Sequence, residues 1–175
     1  MKAVYGEEHR YAMEALEYLT DDYAMMGVHE GSLEFCENAY QKCRTLLGED
    51  DPITLETLLD LALVYGDLKD TEKAAELCRE VYEKRKALLG ENDRDTLNAL
   101  SLLSDYLESD EETLKINEKI YEMRKASFGE EDGQTLYSPN YLGDSYNYLG
   151  DNKKAKEYHQ TAYEKKEDNS RRRRS

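Results

Sequence analysis

Three histidines, three cysteines and 39 carboxylates are the side chains from which this chain could build a metal, nucleophilic or acid–base site. Their spacing assembles none of these. His9, His29 and His159 stand far apart, and none has a second histidine four residues away to share a metal on one helix face. Cys36, Cys43 and Cys78 are odd in number and form no C-x-x-C pair, so neither a disulfide framework nor a zinc site is expected, and a reducing compartment fits. No histidine is placed beside a cysteine to activate it as a nucleophile. No glycine-rich loop able to cradle phosphate is present, and nothing singles out two carboxylates for proton transfer. The expectation is no catalytic residue, no metal, no cofactor and no enzyme.

What remains is charge. The formal net charge of −15 makes nucleic acid and anionic lipid poor partners for the body of the chain. The fifteen tyrosines could stack on bases, but the acidic balance argues against it. Residues 1–6 lack the apolar run of a signal peptide, and no stretch has the roughly 18 apolar residues of a membrane helix. The reading is a soluble, cytoplasmic protein with no membrane partner.

The elements that must position these charges are set by an internal repeat. Gly6, Gly48, Gly90 and Gly129 each open an acidic turn, at intervals of 42, 42 and 39 residues. Aligned on them, one column is leucine throughout (Leu19, Leu61, Leu103, Leu142), and the next is small (Thr20, Ala62, Ser104, Gly143). A large side chain follows three residues later (Tyr23, Tyr65, Leu107, Tyr146). A second small column is Ser32, Ala74, Thr113 and Ala155, and each unit closes on Ala39, Val81, Ile120 or Ala162 followed by tyrosine. Cys36 and Cys78 share a column and read as small packing residues.

Spacings of three, four and seven put the large residues on one helix face, and the small residues let two helices approach. Each unit therefore reads as an antiparallel helix-turn-helix hairpin that buries its apolar stripe only by stacking on the next. The fold class is all-α, an α-solenoid of four such units with about eight helices. First helices are predicted near 10–26, 52–66, 94–108 and 136–149, and second helices near 31–47, 71–89, 111–128 and 152–167. Asp51-Pro52 is a helix start, and Ser138-Pro139 predicts that the fourth first helix restarts there with Ser138 as its cap. The repeats occupy about 6–47, 48–89, 90–128 and 129–168 of an array over 1–168, leaving 169–175, with Arg171–Arg174, as a disordered basic tail. Lys2–Gly6 matches the last turn of a second helix, so the chain starts mid-repeat without a visible cap; either it is a piece of a longer array or that end pairs with another subunit.

Leu58, Leu61, Ala62, Tyr65, Ala74 and Tyr82 resemble the tetratricopeptide pattern. The 42-residue period and the Leu-Gly-Glu-Asp-Asp-Pro segment at 47–52 are similar to the variety found in kinesin light chains, over about residues 6–167. The resemblance implies a right-handed superhelix whose first helices line the concave side, and a protein- or peptide-binding role. Kinesin light chains carry paired asparagines midway along the first helix; here the matching pairs are Glu17-Tyr18, Leu59-Asp60, Ser101-Leu102 and Asn140-Tyr141, and only Asn140 is kept. That family's grip on peptide backbone is therefore not carried over.

Under this geometry the exposed concave positions are Glu14, Glu17, Asp21, Glu56, Leu59, Leu63, Asn98, Ser101, Asp105, Glu108, Tyr137, Asn140, Asp144 and Asn147. Residues 11–26, 53–68, 95–112 and 134–149 contain no lysine or arginine; the basic residues fall in second helices and turns. A groove of one sign concentrates the opposite sign. The expected activity is an adaptor or scaffold that binds a partner segment, and the acidic groove has two readings: it takes a Lys/Arg-rich segment, a preference opposite to the kinesin light chains' for acidic peptides, or it only keeps a thin solenoid soluble. Leu59, Leu63 and Tyr137 would add apolar purchase, and Asn98, Asn140 and Asn147 would bond backbone. A regulatory sensor of a small peptide is the alternative.

Overall fold

The three inter-repeat glycines Gly48, Gly90 and Gly129 end helices in the same way. Each takes a positive φ (96°, 94° and 85°). Each N–H donates to a carbonyl four residues back, that of Arg44, Lys86 or Lys125, at 3.1 Å. A side chain at such a φ is strained, which is why glycine recurs there. Three residues further on, an aspartate starts the next helix. Asp51 accepts the Ile53 N–H at 2.9 Å, Asp93 those of Asp95 and Thr96 at 2.9 and 3.3 Å, and Asp132 those of Gln134 and Thr135 at 3.0 and 3.3 Å.

The computed structural model describes residues 2–25 and 31–172, and among them there is no strand. The helices are α1 (Lys2–Met25), α2 (Ser32–Leu47), α3 (Pro52–Asp67), α4 (Thr71–Leu89), α5 (Arg94–Ser104), α6 (Asp110–Phe128), α7 (Gly133–Tyr148) and α8 (Asn152–Arg172). His29, Arg173 and Arg174 lie outside the described residues, as do the side chains of His9, Tyr23 and Arg172.

The chain divides into two compact units, Met1–Lys84 and Arg85–Ser175. In the first, α1 packs on α2 and α3, and α2 on α3. Its core is Leu55, Leu58, Leu61, Ala62 and Val64 of α3 with Cys36, Ala39 and Cys43 of α2 and Ala74, Cys78 and Val81 of α4. In the second, α5 packs on α6, α6 on α7 and α7 on α8, around Leu97, Leu100, Leu103, Ile120, Leu142, Ala155 and Ala162. The tyrosine column behaves alike in both. Tyr65 donates its hydroxyl to Glu37 at 2.9 Å and Tyr146 to Glu118 at 3.0 Å, so each ring fills a groove while its hydroxyl ends on a second-helix carboxylate.

Several local expectations are corrected. Gly6 opens no turn, because α1 runs unbroken from Lys2. The other units place a capping aspartate three residues after the glycine; here that position is His9, a poor residue for starting a new helix. Pro139 does not restart α7. It is the seventh residue of a continuous helix capped by Asp132, where its missing N–H forgoes a single bond. Ser138 instead turns its hydroxyl back to the Gln134 carbonyl at 3.0 Å. α5 ends at Ser104, four residues early, because Ser109 caps α6 through the Glu112 N–H at 3.3 Å. Residues 169–172 are helical rather than part of a disordered tail. α8 continues through them, held by the Asn169 amide on the Glu131 carbonyl at 3.4 Å and by Arg171 on Glu167 at 3.2 Å. Leu19 is 50% exposed, unlike the other leucines of its column, because no described helix covers that side of α1.

Candidate partner-binding faces

In unit 1 the face is built by α1 and α3. Glu17 and Asp21, four apart, share one side of α1, and Glu56 and Asp60 share one side of α3. Packing of α1 on α3 brings the four carboxyls into one electrostatic cluster. Burial, then Glu56, Asp21 and Glu14, push Glu17 above the ordinary carboxylate range. Asp60 is only 4% exposed, and its Oδ2 meets no hydrogen-bond partner. Burial, then the charges of Glu56, Asp21 and Glu17, raise its pKa to about 8. Glu14 stands at the rim, paired with Arg10 at 3.5 Å. Leu59 does not belong to the exposed surface. At 6% exposure it is part of the α3 core, while Leu63 stays half-buried.

In unit 2 the face is built by α5 and α7, with help from α6 and α8. A depression between α5 and α7 is bordered by Asn98, Ser101, Asp105 and Tyr137 together with Tyr141 and Arg124. Asp105 reaches solvent at its rim, yet the surrounding protein pushes its pKa up to about 6. Tyr137 is 51% exposed and lies under the Lys166 ammonium, 5.4 Å from the ring centroid. Tyr137 and Asn140 border a second hollow against α8, closed by Leu136 and Lys166. Asp144 faces the His159 imidazole at 3.6 Å. Glu108 lies in the turn after α5 and Asn147 at the end of α7, and neither joins these depressions.

The expectation of a single sign of charge fails in unit 2. Arg124 belongs to a second helix, yet its side chain is 4% exposed and reaches across to both first helices. It donates to the Asn98 amide oxygen at 3.1 Å and to the Ser138 hydroxyl at 3.4 Å, and its Nε has no partner. Burial holds its pKa below the ordinary guanidinium value. Asn98 is thereby partly engaged. A signal for this was present in the repeat, where Arg124 shares a column with Cys43 and Arg85, both buried. Asp60 was equally open to discovery as the acidic partner of Leu59 in the α3 pair. Among the described residues no group of histidine, cysteine or carboxylate side chains is arranged to hold a metal ion, and no helix is long and apolar enough to cross a membrane.

The family model described as tetratricopeptide repeat matches residues 11–87. No curated protein gives a significant sequence match. Among solved structures the chain is similar to BtubC (BKLC) from P. vanneervenii, with a TM-score of 0.68 and 20% identity over 77% of this chain. It spans 55% of that protein's length. It is also similar to a putative kinesin light chain of Podosopora anserina with nearly identical TPR-like repeats. One structure of those repeats, a single-substitution form, gives a TM-score of 0.53 and 15% identity over 93% of this chain and 98% of that one. A second structure gives 0.51 and 15% over 89% and 95%. At these identities the likeness is one of fold. Tetratricopeptide repeats generally mediate protein–protein interaction. Residues 11–87 thus match the tetratricopeptide repeat, and the helix pairs of the chain share the fold of kinesin-light-chain-like repeats.

Proposed function

We propose that this chain is a non-catalytic adaptor or scaffold of the cytoplasm that binds a Lys/Arg-rich segment of a protein partner on its first-helix faces. The observation that carries the reading is the unit 1 cluster. The charges of Glu56 and Asp21 push both Glu17 and Asp60 upward, which is the mark of a negative potential over these carboxyls. A lysine or arginine entering that field gains from Glu17, Asp21 and Glu56, and the steering falls off with salt. On the unit 2 face such a segment would lay apolar or aliphatic stems on Tyr137 and Tyr141, both exposed, and bond to Asn140 and Asp144. Nucleic acid and membrane surfaces are poor partners on charge. The stripe Tyr11, Tyr18, Leu19 and Met25, exposed on α1, is the surface we assign to self-association.

A second reading, a regulatory sensor of a small peptide, is favoured by the mixed signs of the unit 2 depression, where Asp105 and Arg124 could meet the two ends of a short peptide. Ligand-dependent change of oligomeric state in light scattering supports the sensor; an unchanged state with stoichiometric capture of a larger partner supports the adaptor. The adaptor reading is tested by capture on immobilised basic and acidic peptide pools. Retention by the basic pool, lost at high salt, is expected; retention by the acidic pool overturns it.

A further inference from the structure

Among the described carboxyls of unit 1, Asp60 alone is buried. It is 4% exposed and its Oδ2 is unpartnered. A buried carboxylate without a partner is costly, so the group is stable only when it holds a proton or when a cation comes to it. The groups that act on it are Glu56 on its own helix and Glu17 and Asp21 on α1. From α2 it faces the Cys36 thiol, whose own ionisation it opposes. Every charge that reaches Asp60 therefore favours its protonated form in the free protein.

We propose that Asp60 is the proton-releasing anchor of this face: one lysine or arginine side chain of the bound segment pairs with Asp60 between Glu17, Asp21 and Glu56, and the carboxyl gives its proton to solvent as the cation seats. The proposal rests on the basic-segment reading and adds its regulation. The O–H bond of the acid breaks, the proton leaves to buffer, and the partner's ammonium or guanidinium, already charged, takes its place; charge balances without any further reactant. A flexible stem with a charged head suits the position better than a metal ion, since the described carboxyls are not grouped to coordinate one. Below about pH 8 the free protein keeps the proton on Asp60. Binding must then expel it, so affinity rises with pH and the partner is released on acidification.

The test is calorimetric titration of the full chain with a tetra-arginine amide, in buffers of differing ionisation heat. Release of about one proton per peptide near neutral pH is expected, with affinity rising up to about tenfold per pH unit between about pH 6 and 8. Asp60→Asn, nearly isosteric and without the buried charge, is expected to release no proton and to lose the pH slope. Glu56→Gln keeps Asp60 but weakens the field on it, so its slope is expected to shift to lower pH. Binding by the unaltered chain without proton release, or an unchanged slope in Asp60→Asn, overturns the anchor and leaves the basic-segment reading intact. Absence of tetra-arginine binding at every pH overturns both.

Discussion

Arg94 lays both terminal nitrogens against Asp132, Nη2 on Oδ2 at 2.8 Å and Nη1 on Oδ1 at 3.2 Å, while stacking over the Phe128 ring at 4.3 Å. The same aspartate caps α7, so one side chain both starts a first helix and ties it to the preceding one. Asp132→Ala is expected to cost about 1 kcal/mol from the cap alone, and more than Asp93→Ala, which loses the same cap of α5 without such a clamp. The Arg94 hydrogen bond, foremost, holds Asp132 below the ordinary carboxylate range. Its stabilisation is therefore complete above that range and is lost as the pH falls through the depressed folded value. Urea midpoints at neutral and strongly acidic pH check this; the gap between Asp132→Ala and the unaltered protein should narrow in acid.

Asp60 and Asp105 predict the opposite slope. Their folded pKa values, about 8 and about 6, lie above the unfolded one. The native state then binds protons that the unfolded chain has shed, and stability falls as the pH rises through that window. Thermal midpoints should decline from mildly acidic to mildly basic pH. Asp60→Asn should flatten the upper part of the decline, leaving the part up to about pH 6 that belongs to Asp105.

Arg124 is a buried cation held by neutral groups. Arg124→Ala should cost about 2–4 kcal/mol, since it leaves a cavity and strands the Asn98 and Ser138 acceptors. Arg124→Met, which keeps the length and removes a desolvated charge, should cost clearly less. Chemical denaturation of the two variants checks the order.

All three cysteines are buried, and none forms a disulfide. Burial lifts the Cys36 thiol to about 11 and moves Cys43 upward too. Because the thiolate is the reactive form, alkylation of the native protein should be slow at all three and fast once it is unfolded. Mass spectrometry after a short iodoacetamide pulse reads this directly.

The helical framework was legible because it is written locally and repeatedly. Asp51-Pro52 starts α3, and the glycines at 48, 90 and 129 close helices as read. The columns Leu61, Leu103 and Leu142 are core. The departures arise where a local signal competes with its surroundings. Gly6 resembles its counterparts but lacks the aspartate that would open a new helix, and Pro139 is overruled by the stronger cap seven residues earlier. Leu59 reads as face and is core, because neighbouring helices rather than its column decide its exposure. The acidic sign of the first helices was equally plain. That Asp60 is sealed in and that Arg124 crosses from its own helix to two others depends on side-chain reach between repeats, which spacing along one helix does not encode.

On the proposed function, the acidic α1–α3 face selects cationic segments. Its most direct measurement is fluorescence anisotropy with charge-matched lysine/arginine and glutamate peptides, on the unaltered chain and on Glu17→Gln/Asp21→Asn/Glu56→Gln. Binding of the basic peptide alone is expected, weakened at least about tenfold in the triple variant, as removal of several nearby charges requires. Equal binding by both proteins, or a preference for the glutamate peptide, would contradict it.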